Sequence, residues 1–452
     1  MKPSKTLDMC SGPFFRKIIW FMIPLIFSGL LQVFFNAADT VVLGQFAGDN
    51  ELSAVGSTAC LINALVNLAI GLSNGAGVVV AQNVGAKNSS GVHKTVHTAI
   101  LLSLISGVVL GLLGIGISRP VLKVMNTPVE VLPLSDLYMK IYFAGLPVQM
   151  LYNFGSSILR SVGDTQRPLV FLSISGVVNI VLNIFFVAVL GMTVSGVALA
   201  TVISQALSAV LLVRYMQKLD NDCRLELRKL KIHRRLFVQI LNMGIPAGIN
   251  GMLFSISNVI IQSSINSFGT TVMAGNAAAT NLESFVYIPM NAVSQTTTAF
   301  VGQNTGARKF EQIRKLTRMF LLIVTVIGLG LGSLVCLFGQ PLLRIFTSTP
   351  EAIHYGYERL LVICLPYFTC GIMDVMSGSI RGMGQSMLPM LISFFCVCGF
   401  RLIWIFTLLP WHHYYTFILY SYSISWVVTF LLLTVTYFAV HRNLEKKGGL
   451  YT

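Results

Sequence analysis

Twelve apolar runs follow one another along this 452-residue chain, each long enough to cross a hydrocarbon layer. They fall near residues 18–42, 54–82, 96–117, 137–159, 168–190 and 195–213, then 237–268, 272–301, 319–338, 352–380, 389–409 and 416–440. A helix needs about 20 apolar residues for that crossing, whereas a membrane-spanning strand needs only about 10. Inside lipid a backbone must satisfy its own polar groups, and a helix does so within one segment. The runs therefore predict an all-α integral membrane protein with twelve transmembrane helices. Composition agrees, with 10% charged and 54% hydrophobic residues; a soluble chain carries about a quarter charged.

A net charge of +15 invites a nucleic-acid reading, but the basic residues sit between the apolar runs and form no single patch. With a cytoplasmic N-terminus, 25 of the 31 Lys and Arg fall in inner segments. Arg119, Lys123, Lys140, Arg344 and Arg359 are assigned to outer segments, and Arg401 stays inside a run. This is the positive-inside bias. It predicts a multi-pass protein of the cell membrane with both termini in the cytoplasm, the lipid bilayer as its surroundings and no nucleic-acid partner. The eight cysteines, the Cys396 and Cys398 pair included, lie mostly inside runs at spacings that do not suggest a metal site.

The chain also repeats itself. Gln82-Asn83-Val84-Gly85-Ala86-Lys87 returns 221 residues later as Gln303-Asn304-Thr305-Gly306-Ala307-Arg308. Arg160, Gly163 and Pro168 return at the same shift as Arg381, Gly384 and Pro389, and Gly107 and Gly111 as Gly328 and Gly332. Ile23-Pro24 returns as Ile245-Pro246. A shared shift at separate places marks a duplication, and six spans per copy make it a parallel repeat. The expected organisation is a six-helix bundle over 1–214, a basic cytoplasmic linker over 215–235 and a second six-helix bundle over 236–452. Pro24 removes a backbone donor inside a span and is the candidate hinge.

Three acids lie inside apolar runs: Asp39, Glu283 and Asp374. Each costs about 2.5–3.5 kcal/mol at a bilayer centre, so function is the default reading. Asp39 is the strongest candidate. Desolvation disfavours the charged form of a carboxyl, so an acid in a water-poor cavity can exchange a proton near neutral pH. An ionised carboxylate among neutral oxygens could instead hold sodium, and Asn179, Asn183 and Thr201 supply such oxygens. Under the repeat Asp39 maps to Ile261, while Asn179 and Asn183 map to Phe400 and Trp404. The polar cluster thus belongs to one half, which favours a site over a generic helix contact. Glu283 is a second candidate, as a cavity residue or a buried helix contact. Tyr152, Phe154, Met252, Phe285, Tyr287 and Met290 are candidates to line a greasy substrate cavity. Asp374 and Arg401 are expected to neutralise each other as an ion pair.

In these residues the chain resembles the multidrug and toxic compound extrusion (MATE) family, nearest its DinF-like bacterial branch. The resemblance covers nearly the whole chain. Its most specific pieces are Asp39 followed by Gly44 and Gly48, the two Gln-x-x-Gly-Ala strings, the Leu159-Arg160-Ser161-Val162-Gly163-Asp164-Thr165 turn, Asn179 followed by Gly191-Met192, and the Ala198–Gln205 stretch. It implies two pseudo-symmetric bundles around a central V-shaped cavity. It also implies export of organic, cationic compounds in exchange for protons or sodium. Asp39 matches the family's ion-binding acid of the first helix, with Asn179 and Thr201 as partners. Asn183 stands where many members carry a second aspartate. The acidic residue that another branch carries in helix seven is absent, Phe254 and Ser255 occupying that neighbourhood.

The sequence holds no G-x-x-x-x-G-K-[ST] phosphate loop, so an ion gradient must drive transport. The expected protein is a monomeric alternating-access antiporter for small organic molecules, not an enzyme. It needs no cofactor and no metal beyond a possible sodium at Asp39. The alternatives are a lipid-linked oligosaccharide flippase of the related fold, a membrane-embedded transferase and a channel. A flippase should carry several arginines in its cavity, where only Arg401 is intramembrane. A transferase needs paired acids near an interfacial loop, and a channel gives no reason for an acid confined to one half.

Overall fold

A computed structural model of the chain describes residues 7–125, 127–411 and 414–449; Lys2 and Lys5 of the charge pattern lie outside them. Each apolar run falls on a helix or a broken pair of helices. Spans 1 to 3 are Phe14–Phe46, Asp49–Gly85 and Ser89–Val124; span 4 comes in two pieces, Leu132–Ala144 and Leu146–Ser161. Spans 5 and 6 are Gln166–Val189 and Val194–Gln217. Spans 7 to 9 are Arg234–Asn266, Thr270–Gly306 and Phe310–Leu337, and span 10 is again broken, into Pro350–Cys364 and Tyr367–Gly382. Span 11 is Met387–Leu408 and span 12 is Tyr415–Gly449.

Among the described residues nine helices are long and apolar enough to cross a membrane, and span 10 makes a tenth if its pieces, bent by 43°, count as one. Spans 4 and 8 fall short for different reasons. The break at Gly145 leaves span 4 two short pieces. Span 8 is long but carries Thr280, Asn281, Ser284, Asn291 and Gln295.

The duplication is visible in the packing. Gly111 of span 3 lies under the Phe143 carbonyl of span 4, where a Cβ would come within 2.7 Å. At the same shift Gly332 of span 9 lies under the Cys364 carbonyl of span 10. Small residues let the two backbones approach in each copy. Lys87 and Arg308, which end the repeated Gln-Asn strings, both adopt a left-handed backbone, with φ of 54° and 56°. That conformation is uncommon for residues with a side chain, so its recurrence marks one capping turn used twice.

The chain packs as two compact units, and they do not part at the sequence linker. One holds Ile23–Met252 with the described residues up to Asp8; the other holds Met9–Met22 and Leu253–Thr452. The linker is fixed to the first unit. Cys223 and Leu225 are buried in its core, and the Glu226 amide donates to His97 Nε2 at 3.1 Å. Burial pushes the Cys223 thiol up to about 12. Beyond the linker, Gly244 of span 7 packs against span 2, with room for no side chain: a Cβ would stand 2.7 Å from the Leu72 Cα. In the second unit the Met9 carbonyl accepts from Asn304 Nδ2 at 2.9 Å, and the rings of Phe21 and Phe300 meet edge-on at 5.6 Å. Each unit thus includes a short stretch that the repeat alone would assign to the other.

Candidate functional site

The first cluster forms where span 1 meets span 5. The Phe35 ring occupies the space a side chain on Gly176 would need. One turn beyond each of these residues come Asp39 on span 1 and Asn179 on span 5, with Asn183 a further turn along, since positions three or four apart share a helix face. Asn183 Nδ2 donates to Asp39 Oδ1 and also to Asn179 Oδ1, the latter at 3.3 Å. Asn183 is fully buried, Asn179 is 5% exposed and Asp39 is half-buried. The Asn183 side-chain amide oxygen, Oδ1, is buried and accepts no hydrogen bond among the described residues. A π-helical turn, Phe185–Val189, follows directly.

Thr201 is not tied to these groups. Its hydroxyl donates to the Val197 carbonyl of its own helix at 2.9 Å. Span 4 contributes what the sequence reading missed. Tyr138 and Tyr142 lie within electrostatic reach of Asp39, and Gln149 Nε2 donates to the Tyr142 hydroxyl at 3.2 Å. The signal was present as two tyrosines one turn apart on a span with polar residues. Asp39 and the two asparagine oxygens could surround a proton or a small monovalent cation. Among the described residues no group of three or more His, Cys, Asp or Glu is placed to hold a metal ion.

The second unit corrects several expectations. Arg359 was assigned to an outer segment, yet it is 5% exposed inside span 10 and grips Glu283 with two bonds. Its Nε meets Oε1 at 2.6 Å and its Nη2 meets Oε2 at 2.8 Å, while Nη1 donates to Asn276 Oδ1 at 2.8 Å. The Tyr415 hydroxyl donates to the same Asn276 oxygen at 3.1 Å. In a low dielectric a carboxylate and a guanidinium persist only when paired and hydrogen-bonded. Glu283 is therefore a buried helix contact and not a cavity acid.

Asp374 and Arg401 form no ion pair among the described residues. Arg401 donates from Nε to Ser425 Oγ at 3.1 Å and lies over the Tyr422 ring at 4.3 Å. Attraction to the ring faces takes the place of a carboxylate. Tyr152, Phe154 and Met290 are closed in packing at 5%, 0% and 0% exposure, and the Tyr152 hydroxyl donates to the Pro168 carbonyl, so none of the three lines a cavity. Met252 is half-buried, while Phe285 and Tyr287 remain accessible. Pro24 lies within span 1, where the Ser28 hydroxyl donates to its carbonyl at 2.8 Å. The two units divide the chain between Met22 and Ile23, one residue before it.

The MatE family model matches this chain twice, over residues 24–185 and 246–407, once in each half. The chain is 28% identical over 407 residues to the probable multidrug resistance protein YoeA of Bacillus subtilis, covering 88% of both chains. It is 27% identical over 396 residues to the probable multidrug resistance protein NorM of Thermotoga maritima, covering 86% of this chain and 84% of that one. A solved structure of a MOP superfamily transporter from Pyrococcus furiosus superposes with a TM-score of 0.89 at 22% identity, covering 98% of this chain and all of the other.

Proposed function

This chain belongs to the MatE family of multi-pass membrane transporters, and from that premise we propose that it is a multidrug efflux transporter exporting organic, cationic compounds in exchange for protons or sodium. It is a transporter and not an enzyme. The observation that carries the coupling is the bond from Asn183 to Asp39 in a cluster whose remaining amide oxygen has no partner among the described residues. A buried acid in a span is costly unless it serves a site. This one is not neutralised by any cation among the described ion pairs, in contrast to Glu283.

Ion binding at Asp39 acts on a helix whose inner end, through Met22, packs within the other unit. Pro24 lacks the N–H that would close the ladder at that place. Loading and unloading the carboxyl therefore bias the bend of span 1, which gives alternating access a local cause. Arg359 adds a second intramembrane arginine, but Glu283 neutralises it. The arginine-rich cavity that a flippase for lipid-linked sugars calls for gains nothing from it. The positive-inside bias supports a cell-membrane location with cytoplasmic termini, and the reading takes the protein as a monomer.

The test is efflux of ethidium, a fluorescent organic cation, from proteoliposomes holding the full chain under an imposed proton or sodium gradient. One gradient should drive efflux in the parent protein. Asp39→Asn should abolish that dependence at unchanged protein yield. Gradient-driven efflux persisting in Asp39→Asn rejects the assignment.

A further inference from the structure

Asp374 has no part in the site above and no partner in Arg401. It lies in the inner piece of span 10, about two turns from its end at Gly382. The helix is held in place there: Ser294 Oγ donates to the Asp374 carbonyl at 2.8 Å and Thr298 Oγ1 to the Gly378 carbonyl at 3.3 Å. One carboxylate oxygen, Oδ2, is buried and receives no hydrogen bond among the described residues. The Tyr287 hydroxyl of span 8 lies within electrostatic reach of the carboxyl.

Tyr287 is the start of a ladder. Asn291 Nδ2 donates to its hydroxyl at 3.3 Å, and Gln295 Nε2 donates to Asn291 Oδ1 at 2.7 Å. Asn281, Ser284, Tyr287, Asn291 and Gln295 recur every three or four residues, so they share one face of span 8. Tyr287 on that face is 37% exposed. Polar groups on an accessible face within membrane depth are tolerated where they border water and are costly against lipid. The face is therefore a polar strip suited to border water, and it leads toward Asp374.

The repeat separates what the fold needs from what this half adds. Arg381 recurs as Arg160, so the base near the end of the span is architecture. Asp374, Tyr287 and Asn291 correspond to Asn153, Val66 and Ile70. The acid and the Tyr287–Asn291 part of the face belong to the second half alone, as Asp39 belongs to the first, whereas Ser284 and Gln295 have polar counterparts in Asn63 and Asn74. The titratable and charged groups around Asp374 are Tyr287 from span 8 and Cys370 and Arg381 on its own helix, with Arg401 of span 11 near Cys370. Beside the Arg381 guanidinium the carboxylate has little surplus negative charge with which to hold a metal ion or an organic cation, whereas a proton needs only the Oδ2 lone pair.

We propose that Asp374 is a second proton-binding group of the transport cycle, loaded and unloaded along the Tyr287–Asn291–Gln295 face of span 8. The carboxylate takes one proton at Oδ2, forming a neutral acid, and returns it as the carboxylate on the other side of the cycle. The proposal rests on the antiport reading, and two measurements keep them apart. The first is infrared difference spectroscopy of the purified full chain in lipid nanodiscs, titrated from alkaline to acid. Two protonated-carboxyl signals are expected, one missing in Asp39→Asn and the other in Asp374→Asn. A spectrum unchanged by Asp374→Asn overturns the proposal whatever the transport result.

The second is the steady ethidium gradient in proteoliposomes under a one-unit pH gradient with the membrane potential clamped at zero. Each coupled proton multiplies that gradient about tenfold. Asp374→Asn should lower it about tenfold while leaving transport running; an unchanged gradient overturns the proposal. Absence of any pH-driven gradient in the parent protein counts against proton antiport and leaves the spectroscopic result standing. If Asp374→Asn fails to fold, Tyr287→Phe serves instead. It should preserve the steady gradient and slow the approach to it, and an unaltered rate counts against the strip.

Discussion

The end of span 5 and the end of span 11 are the same place in the two copies. In the first unit it carries Asn179 and Asn183, and Asn183 reaches Asp39. In the second the positions hold Phe400 and Trp404, whose rings lie 5.6 Å apart, Trp404 also stacking on Phe417 at 4.8 Å. Ile261, the counterpart of Asp39, is fully buried. Both copies pass into a π-helical turn there, Phe185–Val189 and Trp404–Leu408. Such turns often accompany functional sites, but here the turn persists where the polar groups do not. The irregular backbone belongs to the fold, and the amides and the acid belong to the chemistry.

The contrast extends to how each half treats a buried acid. Glu283 is neutralised by Arg359 and Asp39 is not. If that is the difference between structure and site, Glu283→Gln should act on stability first. It strands Arg359 in a low dielectric, and breaking one side of a buried pair costs about 3–5 kcal/mol. Thermal unfolding of the purified protein measures this; a variant as stable as the parent removes the distinction.

Moving the acid across the repeat is the next sharpest test. Ile261→Asp places a carboxyl among packed side chains without an amide partner, at about 2.5–3.5 kcal/mol. It should lower folded yield and should not restore coupled efflux to Asp39→Asn. Restoration in the double variant would make the two places equivalent. A smaller effect is expected of Asn183→Leu, which removes a hydrogen bond to a charged group worth about 1.5–3 kcal/mol. Gradient-driven ethidium efflux should fall at least about tenfold with the fold intact.

The mildest case concerns the linker. His97→Ala removes the acceptor of the Glu226 amide, a loss of about 1 kcal/mol. Efflux should be unchanged. Cys223, whose thiol is pushed up to about 12 while buried, should return toward the ordinary range and react faster with a thiol reagent near neutral pH, read by mass spectrometry at that residue. Equal labelling in the two proteins would show that the linker is held by other contacts.

Much of this was legible before any coordinates. Apolar length located the runs that become helices because the bilayer imposes a dimension on each span, although spans 4 and 8 fall short of it among the described residues. The acid with its asparagines was legible because helical spacing puts Asn179 and Asn183 on one face and the repeat exposed their asymmetry. What escaped depended on long-range register. Glu283 and Arg359 are 76 residues apart, and nothing local marks Arg359 as an inward-facing residue of a span. Asp374 and Arg401 share the second half's later spans in sequence, yet ring faces and a serine hydroxyl satisfy Arg401. The tyrosines of span 4 escaped because their approach to Asp39 joins residues far apart in the sequence.

The units' division at Met22 and Met252 has a consequence for how the protein is made. During synthesis the first bundle cannot close when its own six spans have emerged, because the glycine-lined seat on span 2 waits for the start of span 7. The leading segment with Met9 and Phe21 likewise stays unclad until Phe300 and Asn304 arrive. A gene cut at the internal repeat would yield two fragments that each carry a wedge belonging to the other, so separate halves should assemble less readily than the single polypeptide.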